Sequence, residues 1–213
     1  MQVLSRQRGV SLIQPHKQAH AGGRPFGCFA AAGRSRHVGG FTLIELMITV
    51  VIAIVLIMIA VPSFKTLTLS NKLTTTANDL VLAINSARME AVKRNASTQL
   101  CSNAASSNTS DTLGTKCGTQ TGAVLVLVGG SPATAATVLA PTPGIATPIQ
   151  LSGNVQALRF NGQGLARAVS TTGPYTGLVA DICTNQISTN NHRQIRMAAG
   201  SILTTTPSSG ACP

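Results

Sequence analysis

The most continuous hydrophobic stretch of the chain covers residues 41–61, where Glu45 is the only charged side chain. At about 1.5 Å of rise per residue, a helix of this length spans roughly 30 Å, the thickness of the hydrocarbon core of a bilayer. A carboxylate at the centre of a membrane costs about 2.5–3.5 kcal/mol on insertion scales, so Glu45 requires a functional reason. The pattern predicts a membrane-spanning helix that is apolar on all sides.

Beyond residue 61 the apolar positions narrow to one face of a helix. Pro62 has no backbone N–H and its ring crowds the carbonyl of Met58, which predicts a kink there. Further along, apolar residues recur at intervals of four and three, as on one helix face. The residues of this stripe are Leu73, Ala77, Leu80, Ile84, Ala87 and Ala91. We therefore predict one long helix over residues 41–94, whose second half packs on the protein's own sheet.

After Asn95 the pattern changes to short apolar runs between segments rich in Gly, Pro, Thr and Ser, which indicates strands and turns. The predicted strands of one sheet cover residues 96–102, 123–128, 155–160, 165–169, 178–183 and 194–198. Loops are predicted over residues 102–121, 129–148 and 184–191. The scarcity of aromatic residues favours a modest β-rich domain over a large enzyme core.

The positive charge is concentrated before the apolar segment. Of the 16 Lys and Arg residues, six lie in residues 1–40, and none of the five acidic residues does. By the positive-inside rule this places the N-terminus in the cytoplasm and exports everything after residue 61. The chain is thus predicted to comprise four parts, which are a basic leader (1–40), an apolar helix (41–61), its amphipathic continuation (62–95) and a periplasmic β-rich domain (96–213).

Cysteine usage agrees with export. Cys28 lies in the predicted leader, and four cysteines remain beyond it. An even number in an exported domain indicates two disulfides. Three pairings are possible, and Cys101–Cys117 with Cys183–Cys212 is favoured because each bond closes a short local loop. The alternative is four free or metal-binding thiols, but no C-x-x-C motif or zinc spacing is present, so neither a metal nor a cofactor is expected.

A basic leader, a Gly-Phe junction and a lone acid are combined at residues 40–45, Gly-Phe-Thr-Leu-Ile-Glu. This arrangement resembles the cleavage and assembly signal of type IV prepilins, which type II secretion pseudopilins share. A conventional secretory signal is one alternative, but the apolar run is too long for it. A plain single-span anchor is the other, and it leaves the Gly-Phe-x-x-x-Glu arrangement unexplained. The leader is long for a prepilin, so that either the true start lies later or the leader is extended.

Further segments are similar to the GspH/FimT family of minor pilins and pseudopilins. They are residues 40–64 with Pro62, the helix end at 85–94, the strand reaching Cys101, the turn at 160–164 and the strand at 193–200. The resemblance implies an α+β, type IV pilin-like fold, in which the long N-terminal helix packs on a small and mostly antiparallel β-sheet domain.

The resemblance also implies how the N-terminal segment is used. Prepilin peptidase would cut between Gly40 and Phe41 and methylate the new amine of Phe41. Glu45 would then pair with the N-terminal ammonium of a neighbouring subunit, because a charge left alone in an apolar core is costly and a paired one is tolerated. The alternative for Glu45 is a carboxylate that snorkels to the lipid headgroups.

The implied function is that of a minor subunit of a type IV pilus or a type II secretion pseudopilus, and the two-disulfide domain favours the pilus. The subunit would insert once in the bacterial inner membrane and then join a filament or its tip. Its implied partners are prepilin peptidase, other pilins or pseudopilins and the inner-membrane assembly platform.

DNA capture is the second function considered, since some FimT-like minor pilins bind DNA through a Gly-Arg-x-Arg motif. The corresponding residues here are Gly200-Ser201-Ile202-Leu203, so both arginines are missing. Arg193 and Arg196 lie nearby as candidate nucleic-acid contacts, but three residues apart on a strand they point to opposite faces. No aromatic platform for bases accompanies them. The sequence favours a solvated basic face.

Catalysis is the third function considered, and the sequence gives little support for it. His192 is the only histidine beyond the leader, and it is expected to be exposed in a polar loop. Asp181 and a serine could complete a triad with it, but no nucleophile motif surrounds any serine. No phosphate-binding loop or dinucleotide fingerprint is present. The chain is therefore expected not to be an enzyme.

Overall fold

The computed structural model describes residues 40–129 and 133–213 of the chain. The predicted leader, apart from Gly40, lies outside the described residues, as does Cys28. The chain divides into two compact units, Met1–Leu43 and Ile44–Pro213. Nearly all of the long helix and all of the described strands belong to the second unit. The four predicted parts of the chain stay a prediction.

A single helix, α1 (Leu43–Arg94), dominates the second unit. The prediction of one long helix is confirmed, with its start two residues later than expected. Pro62 lies inside α1, and the kink predicted there stays a prediction. Leu69 is the first buried residue of α1, and all residues of the predicted apolar stripe are buried after it. The helix therefore has an exposed apolar half and a half that packs on the domain.

The first sheet has five strands in the order β3-β2-β1-β5-β6, and every neighbouring pair is antiparallel. Its strands are β1 (Thr98–Leu100), β2 (Val124–Val128), β3 (Thr134–Leu139), β5 (Leu158–Phe160) and β6 (Ala166–Ala168). Helix α2 (Thr112–Cys117) and a 3₁₀ turn (Ala105–Ser107) lie between β1 and β2. Asp111 caps α2 by accepting a hydrogen bond from the Gly114 amide at 2.9 Å.

The second sheet has four antiparallel strands in the order β4-β7-β8-β9. Its strands are β4 (Gln150–Leu151), β7 (Gly177–Cys183), β8 (His192–Ala198) and β9 (Ile202–Ser208). The prediction of one sheet is thus wrong. The strands β3, β4 and β9 were not predicted, and the predicted loop at 102–121 contains α2. Both β3 and β9 are edge strands without a fully buried residue, β3 being partly buried and β9 largely exposed, so no alternating apolar pattern marks them.

The main core lies between the second half of α1 and the two sheets. Its largest fully buried members come from the helix, from the first sheet and from the second sheet, and include Leu73, Leu80, Ile84, Leu100, Leu158, Phe160, Ile182 and Ile195. A smaller cluster around Leu113 and Leu125 includes the Cys101–Cys117 disulfide. The protein thus has the predicted α+β, pilin-like arrangement of a long helix packed on antiparallel sheets.

Candidate processing and assembly site

The predicted processing site lies just before α1. Among the described residues, no atom comes within 4 Å of the place that a Cβ on Gly40 would occupy. The side chain of Phe41 is 79% exposed. The described residues therefore leave open space beside the bond between Gly40 and Phe41. The assignment of cleavage and methylation to these residues stays a prediction.

Glu45 lies in the first turn of α1. A carboxylate at a helix N-terminus is favoured by the helix dipole by about 0.3–1 kcal/mol, and the effect falls off within one turn. The neighbouring positions on the helix carry large apolar side chains, and those of Ile44, Leu46 and Ile48 are all exposed. Glu45 is thus an acidic side chain at one end of an uncovered apolar surface.

The described part of the protein does not cover the first half of α1. Its large apolar side chains are exposed from Leu43 through Val61, and α1 is long and apolar enough to cross a membrane by length and composition. The apolar part is buried nowhere in the structure. At roughly 25 cal/mol per Å² of exposed apolar surface, such a helix is stable only when lipid or other apolar helices cover it.

The structure separates the two arginines that were considered for nucleic-acid binding. Arg193 is only 9% exposed, and its guanidinium donates to the Ser70 and Thr74 hydroxyls of α1 at 3.0 and 3.3 Å. It also donates to the carbonyls of Asn190 and His192. Arg193 therefore joins β8 to α1 and does not present its charge at the surface.

Arg196 is exposed on the outer face of the second sheet, opposite Leu178 of β7 and Thr204 of β9. Burial raises the pKa of the nearby Tyr175 hydroxyl, and the positive charge of Arg196 offsets part of that rise. The two arginines thus do not form a joint basic patch. The residues Gly200 and Ser201, where the DNA-binding motif would stand, form the turn between β8 and β9.

The expectation for His192 is wrong, because the residue is the buried first position of β8 and not an exposed loop residue. It is 4% exposed, and its Nδ1 lies 3.0 Å from both carboxylate oxygens of Asp181 on β7. The chain end folds back over it, so that a Cβ built on Gly210 would lie 3.4 Å from Nε2. The local sequence around His192 contains no signal that predicts this covering by the chain end.

Among the described residues, no third member of a triad accompanies the Asp181–His192 pair. Nε2 of His192 is buried and has no hydrogen-bond partner among the described residues. A nucleophilic hydroxyl would have to lie within about 2.6–3.2 Å of that nitrogen. Within residues 40–129 and 133–213, no group of three His, Cys, Asp or Glu side chains could hold a metal ion.

Two disulfides fix the loops of the domain, and they join the pairs that the sequence favoured. Cys101–Cys117 ties the end of α2 to the residue after β1. Cys183–Cys212 ties the end of β7 to the chain end that covers His192.

One ion pair was not predicted from the sequence. The guanidinium of Arg159 on β5 holds both carboxylate oxygens of Asp111, with a distance of 3.0 Å from Nη2 to Oδ1. Hydrogen bonds from Arg159 hold the pKa of the Asp111 carboxyl well below its usual range. The pair was missed because its partners are far apart in the sequence and α2 was read as part of a loop.

Comparisons with known proteins agree with this arrangement. The family model described as type II transport protein GspH matches residues 76–201. The model described as prokaryotic N-terminal methylation motif matches residues 35–61, which include Gly40, Phe41 and Glu45. The chain gives no significant match to a curated protein or to a solved structure.

Proposed function

The chain belongs to the family of the type II transport protein GspH, and on that premise we propose that it is a minor pilin or pseudopilin. It inserts in the inner membrane through the first half of α1 and leaves the domain in the periplasm. It then joins, or primes, a filament of a type IV pilus or a type II secretion pseudopilus. Pilins and pseudopilins are structural subunits, so the role is one of assembly.

The observation that carries this proposal is the division of α1 into two surfaces. From Leu69 onward the helix is packed into the domain, whereas its first half exposes a continuous apolar surface. One continuous helix with both surfaces suits a subunit that moves from lipid into a bundle of similar helices. In either setting the apolar half stays out of water.

The match to the methylation motif supports a processing step. We propose that prepilin peptidase cuts between Gly40 and Phe41 and methylates the new N-terminus. Glu45 then pairs with the ammonium group of a neighbouring subunit. The pairing sets the depth at which the subunit joins the filament, because a displaced subunit would leave two charges unpaired in an apolar core.

Replacement of Glu45 tests this assembly role. We expect Glu45→Ala to insert in the membrane normally but to be depleted from sheared filaments. Glu90→Ala is the matched control, because it removes a carboxylate from the same helix where Glu90 only pairs with Lys93 and Arg94 at the surface. Wild-type levels of Glu45→Ala in filaments would contradict the pairing role.

DNA binding is not put forward as a second function. Arg193 is engaged with α1, and the residues at 200–203 lack the arginines of the binding motif. The remaining surface charge supports weak, salt-sensitive contact with phosphates at most.

A further inference from the structure

A polar groove lies where the domain meets the part of α1 that follows the apolar segment. It has a volume of about 620 Å³. Its walls are Thr66 of α1, residues 185–189 and Asn191 of the loop between β7 and β8, and residues 210–212 of the chain end. We call it the tail groove.

The walls of the tail groove are firmly held. Cys212 is bonded to Cys183 at the end of β7. The Asn191 side chain exchanges two hydrogen bonds with the backbone of Gly210, with donor–acceptor distances of 2.9 and 3.0 Å. The amide of Asn190 donates to the Ser209 hydroxyl at 2.8 Å. The groove is therefore a preformed feature of the domain.

The rise of α1 gives the height of the groove above the membrane, and this step rests on the proposed function. Thr66 follows Val61, the last residue of the apolar segment, by five positions, or about 7.5 Å. The headgroup layer on each side of a bilayer is roughly 5–8 Å thick. Phe64 and Leu67 are both exposed just beyond Val61 and draw this part of the helix toward the lipid. The tail groove is thus at the level of the headgroups.

The groove offers hydrogen-bond donors from uncharged side chains. Asn185, Gln186, Ser188 and Thr189 are all exposed, and residues 182–213 contain no Asp or Glu. Amide and hydroxyl groups of this kind bind phosphate and glycerol oxygens. None of the residues that line the groove is acidic, and the nearby carboxylate of Asp181 is buried behind His192.

Lys65 supplies a cation on the membrane side of the groove. It precedes Thr66, and it is four residues before the buried Leu69, so that Lys65 and Leu69 share one face of α1. Lys65 itself is exposed. Lys65 does not itself line the groove, but it lies on α1 between the apolar segment and the first buried residue, at the level proposed for the headgroups.

From this placement we propose that the tail groove binds the headgroup of an anionic phospholipid. The groove side chains hold the phosphate and glycerol oxygens, and Lys65 neutralises the charge. Binding seats the domain on the membrane surface before the subunit is drawn into a filament. When the subunit joins a filament, the headgroup stays in the bilayer and no longer occupies the groove.

Two spin-labelled variants of the full-length protein in vesicles test the depth of the groove. One label is placed at Ser188→Cys in the groove and the other at Gln163→Cys, next to Gly162, where an added Cβ would meet Asn95 just after the far end of α1. Val61 and Asn95 are about 50 Å apart along the helix. With a paramagnetic metal chelated to the lipid headgroups, we expect several-fold stronger relaxation at residue 188 than at residue 163. Equal relaxation at the two sites would overturn the proposal.

A change of lipid composition and the replacement of Lys65 test whether the groove requires a negatively charged headgroup. Phosphatidylglycerol vesicles should immobilise the label at residue 188, and phosphatidylcholine vesicles with added inorganic phosphate should not. One Lys at an anionic surface contributes about 1 kcal/mol, so Lys65→Gln should raise the phosphatidylglycerol content needed for half-maximal immobilisation about fivefold. Lys93→Gln, the same change near the far end of α1, should have no effect. Equal immobilisation in both lipids, or equal effects of both variants, would contradict headgroup binding.

Flotation of the same vesicles separates this proposal from the proposed function. If the protein does not float with vesicles, the first half of α1 is not a membrane anchor and the proposed function fails. If the protein floats while the label at residue 188 is as remote as that at residue 163, the groove proposal alone fails. A groove label immobilised only when a second copy is present would assign the groove to subunit contacts and also reject headgroup binding.

Discussion

The guanidinium of Arg193 donates to the hydroxyl of Ser70 at 3.0 Å, and thereby joins strand β8 to helix α1 across 123 residues of sequence. A second bond to Thr74 and two to backbone carbonyls complete its surroundings. A residue that was considered for binding DNA is therefore one that holds the helix on the domain.

Replacement of Arg193 should lower the stability of the domain. Hydrogen bonds of charged groups contribute about 1.5–3 kcal/mol each, so we expect Arg193→Gln to lower the free energy of unfolding by at least about 1.5 kcal/mol. Urea unfolding in mild detergent measures the change. Arg196→Gln on the same strand is the control, and as an exposed substitution it should stay within about 0.5 kcal/mol of the wild type. Equal effects of the two variants would contradict the role of Arg193.

The Cys183–Cys212 disulfide should govern access to His192. Its two cysteines are 29 residues apart, and closing such a loop contributes about 3–4 kcal/mol in the chain-entropy model. In Cys183→Ser/Cys212→Ser the chain end loses this anchor, and we expect His192 to react several-fold faster with diethyl pyrocarbonate. His192 is the only histidine after residue 40, so the ultraviolet absorbance of carbethoxyhistidine in the processed protein reports its modification.

The other disulfide provides the matched control for that experiment. Cys101→Ser/Cys117→Ser removes a bond of the same kind near α2, away from His192. The reaction of His192 should then stay slow. Equal acceleration in both double variants would mean that global loosening, and not release of the chain end, exposes the histidine.

The Asp111–Arg159 pair should make stability depend on acid pH. Because Arg159 lowers the pKa of Asp111 in the folded state, the pair contributes stability above the ordinary pKa of 3.8. That contribution is lost as the pH falls from this value toward the lower folded-state pKa. The side chain of Asp111 is 46% exposed, so solvent screening limits the effect to about 1 kcal/mol or less.

Asp111→Asn tests the pair because Asn also caps helices well, so that the variant removes the charge and keeps the cap. We expect the variant to be less stable than the wild type at pH 6, with a difference that shrinks as the pH falls below about 3.8. Unfolding free energies across this range measure it. A difference that is constant with pH would show that the charge of Asp111 does not contribute.

The helix was predictable because its signal is local and repeated. Leu80 and Ile84 belong to a stripe with helical spacing, and both are fully buried, whereas Leu82 between them is 55% exposed. The apolar run before Pro62 is equally plain. The disulfide pairs followed from loop length alone.

The rest of the architecture depends on contacts between distant residues, which the local sequence pattern does not predict. The strand β9 is an edge strand with three consecutive threonines, and it exists because β8 offers it seven paired positions. His192 is buried because the chain end returns over it. Arg159 has its partner because the fold brings Asp111, the residue before α2, next to strand β5.

The mass of the intact protein extracted from its native membrane tests the central claim most directly. The account predicts a chain that begins at Phe41, carries one additional methyl group and lacks four hydrogens because of the two disulfides. Gly40→Leu, which places a large side chain beside the bond to be cut, should instead yield the uncut chain. A wild-type protein that keeps residues 1–40 and carries no methyl group would contradict the assignment of this chain as a processed pilin subunit.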